Sequence, residues 1–154
     1  MKTKILMVCL GNICRSPLAE GILKNKLDPS KYIVNSCGTS NYHIGSKPDK
    51  RSIAIAKKYG IDISDQRAAQ FNIEDFQTYD FIYVMDNSNY QDIKKLTNKE
   101  QDKNKVTLIL NELYTNENLD VPDPYYGGEQ GFEDVYQMLN KACDNIVIKL
   151  ENRS

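Results

Sequence analysis

The chain has 154 residues, 20 basic and 21 acidic side chains, a formal net charge of −1 and four cysteines. That length suits one domain around one core, the charge balance offers no field for nucleic acid or an anionic membrane, and four cysteines in so long a chain make no disulfide framework. The apolar start is too short and too poorly flanked for a signal peptide, and no run is long enough to span a bilayer, so a soluble cytoplasmic protein with reduced thiols is expected.

Taken in chain order, residues 4–10 (KILMVCL) are nearly all apolar, as a strand buried on both faces requires. Helical spacing follows over 17–27, with Ser16 placed to cap it and Pro17 in its first position. Residues 32–38 (YIVNSCG) predict a second strand, and 49–60 a helix stopped by Gly60. Residues 65–71 (DQRAAQF) and 73–79 (IEDFQTY) predict short helical turns. A third buried strand is expected over 80–85, a helix over 88–96, and a fourth strand over 106–110. Between the last two, the polar stretch 97–105 predicts a solvated loop. The final segment carries Phe132, Val135, Tyr136, Leu139, Ala142, Cys143, Ile146, Val147 and Leu150 at three- and four-residue steps. That is one apolar stripe on a long helix packed against the sheet.

Four apolar strands separated by helices imply an α/β fold: a parallel sheet covered by helices on both faces. Ligands of such sheets bind beyond the carboxyl ends of the strands. The loop 9–16 (CLGNICRS) lies at that end of strand one and leads into a helix N-terminus, where free N–H groups and the helix dipole favour an anion. Gly11 permits close backbone approach, and Asn12 tolerates a left-handed conformation. Arg15 supplies a fork that matches two phosphate oxygens. The Gly-x-x-x-x-Gly-Lys pattern of nucleotide-binding loops is missing. Cys9 is what separates this loop from a passive cradle. A thiol facing the N–H groups and Arg15 is expected to have a depressed pKa, and its thiolate can attack phosphorus and hold a phosphocysteine.

Such a transfer needs an acid for the leaving oxygen. His43, the one histidine, is a candidate. Asp123 is a better one, because Pro122 and Pro124 stiffen its loop and Tyr125 and Tyr126 stand ready to flank an aromatic leaving group. With no second histidine and no Cys-x-x-Cys pair, neither a metal site nor any other cofactor is expected.

The stretch VCLGNICRSP near the start, MDNSN at 85–89 and DPYY at 123–126 together resemble the low-molecular-weight protein tyrosine phosphatases, in order and over almost the whole chain. The resemblance implies a four-stranded parallel sheet with the phosphate-binding loop after strand one, and a two-step, metal-free hydrolysis of phosphotyrosine or small aryl phosphates. It implies Cys9 as nucleophile, Arg15 as phosphate clamp and Asp123 as acid and then base. Leu10, Gly11, Asn12, Ile13, Cys14 and Ser16 would form the rest of the loop. Within it, Ser16 would hold the Cys9 thiolate by a hydrogen bond and Asn12 would keep the loop's shape, supported by Ser36. Tyr42, Tyr125 and Tyr126 would wall the cleft.

Two related activities share this fold. Arsenate reductases need further redox cysteines after strand three, and none lies between Gly38 and Ala142. Protein arginine phosphatases resemble a threonine at the position of Ile13 and lack the paired tyrosines. A dead phosphate-binding module would lack Cys9 or Asp123. Cys37 and Cys143 are expected to pack in the core, and His43 to sit solvated. Cys14 is expected to act in redox protection, by closing a reversible disulfide on oxidised Cys9. The protein is expected to act as a monomer.

Overall fold

A computed structural model of the protein describes residues 1–153. Strands β1 (Thr3–Cys9), β2 (Tyr32–Gly38), β3 (Phe81–Val84) and β4 (Val106–Leu108) form one parallel sheet in the order β2-β1-β3-β4. Helices α1 (Arg15–Lys26), α2 (Lys50–Lys58) and the long α6 (Gly128–Glu151) lie on one face. The short α3 (Asp75–Thr78) and α4 (Asn87–Lys94) cover the other, and α5 (Glu100–Lys103) precedes β4.

The continuous apolar run of β1 follows from this sandwich. Ile5, Met7 and Cys9 point to the α1/α6 face, and Leu6 and Val8 point to the face shared with Phe76 and Ile93. The stripe on α6 is buried from Phe132 to Leu150, apart from Val147, which is only partly covered. Cys37 and Cys143 are core residues on opposite faces. Among the described residues no helix is long and apolar enough to cross a membrane.

Five local expectations are corrected. Helix α1 starts two residues early, so Cys14 stands at the cap position and Pro17 at the third helical one. The Ser16 hydroxyl does not cap the helix; it turns back to the Cys9 sulfur. Residues 65–71 form no helix: Asp65 closes a turn, Gln70 bridges to Gly38, and residues 69–71 run alongside the end of β2. The fourth strand ends at Leu108, and residues 109–112 tighten into a 3-10 turn. The polar stretch 97–105 is not simply solvated either. It buries Asp102, which accepts a 2.8 Å hydrogen bond from the buried Thr97 hydroxyl and so meets the rule that a buried polar group finds a partner.

The chain reverses direction across the sheet between β1 and β3, and the loops after these two strands part there. Both loops contribute to the site.

Candidate active site

Cys9 closes β1 and is 3% exposed. Two hydrogen-bonding groups converge on its sulfur: the Asn12 N–H donates at 3.3 Å, and the Ser16 hydroxyl lies 3.0 Å away. The curl that allows this depends on Asn12, whose φ of 57° is left-handed. Its side chain is held at both ends. Oδ1 accepts from the Ala69 N–H at 3.0 Å, while Nδ2 donates to Ser16 Oγ at 2.7 Å and to Ser36 Oγ at 3.0 Å. The pairing of residues 69–71 with the end of β2 is what brings Ala69 there.

Arg15 is buried at the start of α1. Its Nη1 donates to Asp86 Oδ2 at 2.7 Å and to the Val121 carbonyl at 2.8 Å. These contacts use one nitrogen and leave Nε and Nη2 for an anion. Burial opposes the guanidinium's charge, but Cys9, Asp86 and Asp123 outweigh it and hold the group above its ordinary pKa. Arg15 is therefore a permanent cation locked in orientation.

In front of the loop opens a cleft of about 330 Å³. Its floor is Cys9, Leu10, Gly11, Ile13, Cys14 and Arg15. Its walls are Tyr42, His43, Asp123, Tyr125 and Tyr126. Asn12, Ser16 and Ser36, also singled out from the sequence, stand behind the loop and shape it. Asp123 is exposed on the wall, and its Oδ1 accepts from the Tyr125 N–H at 3.0 Å, capping a 3-10 turn that carries both tyrosines. The two rings meet edge to face at 5.0 Å. Cys14 is buried beside Cys9; burial first, then the charges of Asp49, Cys9 and Asp123, push its thiol up to about 12. His43 is exposed on a loop, and packs so close to Gly11 that a Cβ there would lie 3.0 Å from the imidazole.

The sequence profile of the low molecular weight phosphotyrosine protein phosphatases matches residues 4–154. The chain belongs to that family. Members of this phosphatase family are cysteine-based, metal-independent hydrolases of phosphoric monoesters. Among similar phosphatases, the low molecular weight phosphotyrosine protein phosphatase of Gallus gallus is 39% identical over 143 residues, covering 90% of each chain. A candidate phosphatase of Synechocystis sp. is 43% identical over 151 residues, covering 96% of each. The crystal structure of a protein tyrosine phosphatase from Entamoeba histolytica, with Hepes in its active site, superposes with a TM-score of 0.90 at 41% identity and covers 98% of each chain.

Four residues of this candidate site were not assigned a role from the sequence. Asp86 heads an Asp-x-x-Asn pattern that signals a helix cap, and it does cap α4; nothing local says that its other oxygen holds Arg15. Arg51 donates to the Tyr125 carbonyl at 2.8 Å, while its guanidinium lies 5.0 Å from the Tyr125 ring centre and 4.6 Å from that of Phe132. It ties the loop that carries Asp123 and Tyr125 to α2 and α6. Gly38 lies against the loop's backbone, where a Cβ would come within 2.6 Å of the Leu10 carbonyl. Glu20, on the buried side of α1, accepts from Ser36.

Proposed function

We propose that residues 1–154 act as one phosphatase domain, a cytoplasmic monomer that hydrolyses phosphotyrosine in proteins or small aryl phosphates. All four cysteines are free thiols, which suits a reducing compartment. The N–H groups of the loop and Arg15 bind the phosphoryl oxygens. The Cys9 thiolate attacks phosphorus; the S–P bond forms as the P–O bond to the phenol breaks, and Asp123 gives its proton to the leaving oxygen. Asp123 then takes a proton from water, which attacks phosphorus, breaks the S–P bond and releases phosphate. Arg15 and the loop N–H groups stabilise the charge spread over the equatorial oxygens in both steps. Tyr42 and Tyr125 wall the ring, with Ile13 at the floor's edge.

The observation that carries this reading is the convergence on Cys9 of Asn12 N–H and Ser16, with the oriented Arg15 lining the same cleft floor and Asp123 on its wall. The test is turnover of phosphotyrosine, phosphoserine and phosphoarginine peptides, with arsenate reduction alongside. Phosphotyrosine is expected to be preferred, and Cys9→Ser to lose turnover. Preference for phosphoarginine, or Cys9→Ser within about tenfold of wild type, would overturn the reading.

A further inference from the structure

Behind the loop, one hydrogen-bond chain runs from the surface to the nucleophile. Lys24 Nζ meets Glu20 Oε2 at 3.0 Å, and Glu20 Oε1 accepts from Ser36 Oγ at 2.7 Å. Ser36 Oγ accepts from Asn12 Nδ2 at 3.0 Å. The same Nδ2 reaches Ser16 Oγ at 2.7 Å, and Ser16 Oγ lies 3.0 Å from Cys9 Sγ. Glu20 is 7% exposed. A carboxylate on a helix facing the core would be costly there without partners, and it has two.

Each hydroxyl has one proton, so the direction of the chain follows from its ends. An ionised Glu20 only accepts. Ser36 must therefore give its proton to Glu20, which leaves its lone pairs for Asn12. The Asn12 amide cannot flip, because Ala69 N–H occupies Oδ1. Both Nδ2 protons are then directed at the two serines. Ser16 becomes an acceptor towards Asn12, and its own proton is free for the Cys9 sulfur at 3.0 Å, nearer than the Cys37 carbonyl at 3.4 Å.

We infer that Glu20 is a positioning residue for the phosphatase reaction: through Ser36 it anchors Asn12 in its left-handed turn, so that the amide, oriented by the Ala69 N–H, keeps the Ser16 proton and the Asn12 N–H aimed at the Cys9 thiolate. Glu20 touches neither substrate nor nucleophile. It acts by removing the alternative in which Ser36 turns its proton towards Asn12 and the amide loses one of its three anchors. The inference rests on Cys9 being the nucleophile.

The test compares Glu20→Met, which keeps length and removes the acceptor, with Glu20→Gln, which keeps an acceptor and removes the charge. For Glu20→Met, kcat on p-nitrophenyl phosphate is expected to fall about tenfold, which is about 1.4 kcal/mol of activation free energy, with KM changed less than threefold. Alkylation of Cys9 by neutral iodoacetamide is expected to slow in parallel. Glu20→Gln is expected to retain kcat within about threefold, since its amide oxygen still accepts from Ser36. Ser36→Ala is expected to match Glu20→Met, and the double variant to be no worse than either, because both cut one chain. Ser36→Ala and Glu20→Gln carry the test if Glu20→Met does not fold. The inference is overturned if kcat of the Met variant stays within twofold of wild type, or if the two losses multiply. Equal impairment of the Gln and Met variants would overturn it too, because charge and not acceptor direction would then matter. Cys9→Ser, measured alongside, separates the failures: if it retains turnover the reading of the site fails, and if it is dead while Glu20→Met is unimpaired only this inference fails.

Discussion

Asp86→Asn isolates one contact with little change in shape. In the native protein the carboxylate does two jobs: Oδ1 accepts from the Asn89 N–H at 2.8 Å and caps α4, while Oδ2 accepts from Arg15 at 2.7 Å. Asparagine caps helices as well as aspartate, so the cap survives if its one oxygen faces Asn89. Its NH2 group must then face the Arg15 guanidinium, donor against donor. Breaking a buried ion pair by removing one partner costs about 3–5 kcal/mol, and a hydrogen bond to a charged group contributes about 1.5–3. The Arg15 side chain is 4% exposed but that of Asp86 is 19%, so water screens part of the loss and about 2–3 kcal/mol is expected. For a chain of 154 residues that lowers Tm by roughly 5–10 °C. Bound phosphate supplies the missing negative charge, so the gap in Tm should narrow at saturating phosphate. Turnover should suffer as well, since Arg15 loses its orientation in the transition state; a drop in kcat/KM on the order of tens of fold is expected. Thermal unfolding with and without phosphate, together with steady-state kinetics on p-nitrophenyl phosphate, checks this. A Tm within about 2 °C of wild type and kcat/KM within twofold would show that Arg15 does not depend on Asp86, and the reasoning would fail.

Asp123→Asn is expected to lower turnover on aryl phosphates by on the order of a hundredfold, and by much less on substrates whose leaving group needs no proton; equal loss on both would mark Asp123 as structural. Arg51→Ala frees the Tyr125 carbonyl and ring from α2, and a loss of roughly tenfold is expected, larger on poor leaving groups because it is the acid loop that drifts. Leaving-group dependence unchanged from wild type would refute that. Ile13→Thr puts a hydroxyl at the cleft floor and is expected to shift the ratio of kcat/KM values from phosphotyrosine towards phosphoarginine peptides, a ratio that must move for the residue to matter. After peroxide, wild type is expected to regain activity with a thiol reductant and Cys14→Ser to stay inactive, since the neighbouring thiol traps the Cys9 sulfenic acid before further oxidation; equal recovery would remove Cys14 from that role.

What the sequence determined by itself is what local physics encodes. The run 4–10 needs two apolar faces because successive side chains point to opposite sides of a sheet, and the stripe on α6 follows from helical period. The spacing from Cys9 to Arg15, between a buried strand and a helix start, suits an anion loop. Even Asn12 was legible, because few residues other than glycine tolerate φ above zero. Tertiary structure decided what holds these pieces. Asp86 reaches Arg15 from 71 positions away only because β3 lies beside β1, an order that no local pattern states. Residues 65–71 have a composition that suits a helical turn, yet they form no helix because hydrogen bonds of residues 69–71 with Gly38 and with the Asn12 side chain outweigh a weak intrinsic preference. Ser16 looked like a helix cap, which its type favours, but the chain enters the helix two residues sooner and the hydroxyl turns to sulfur. Glu20 occupies a helical position where a surface carboxylate paired with Lys24 would read the same, and only the fold sets Ser36 against it. In each case the deciding partner is distant in sequence, and its placement follows from strand order and packing, not from the residues beside it.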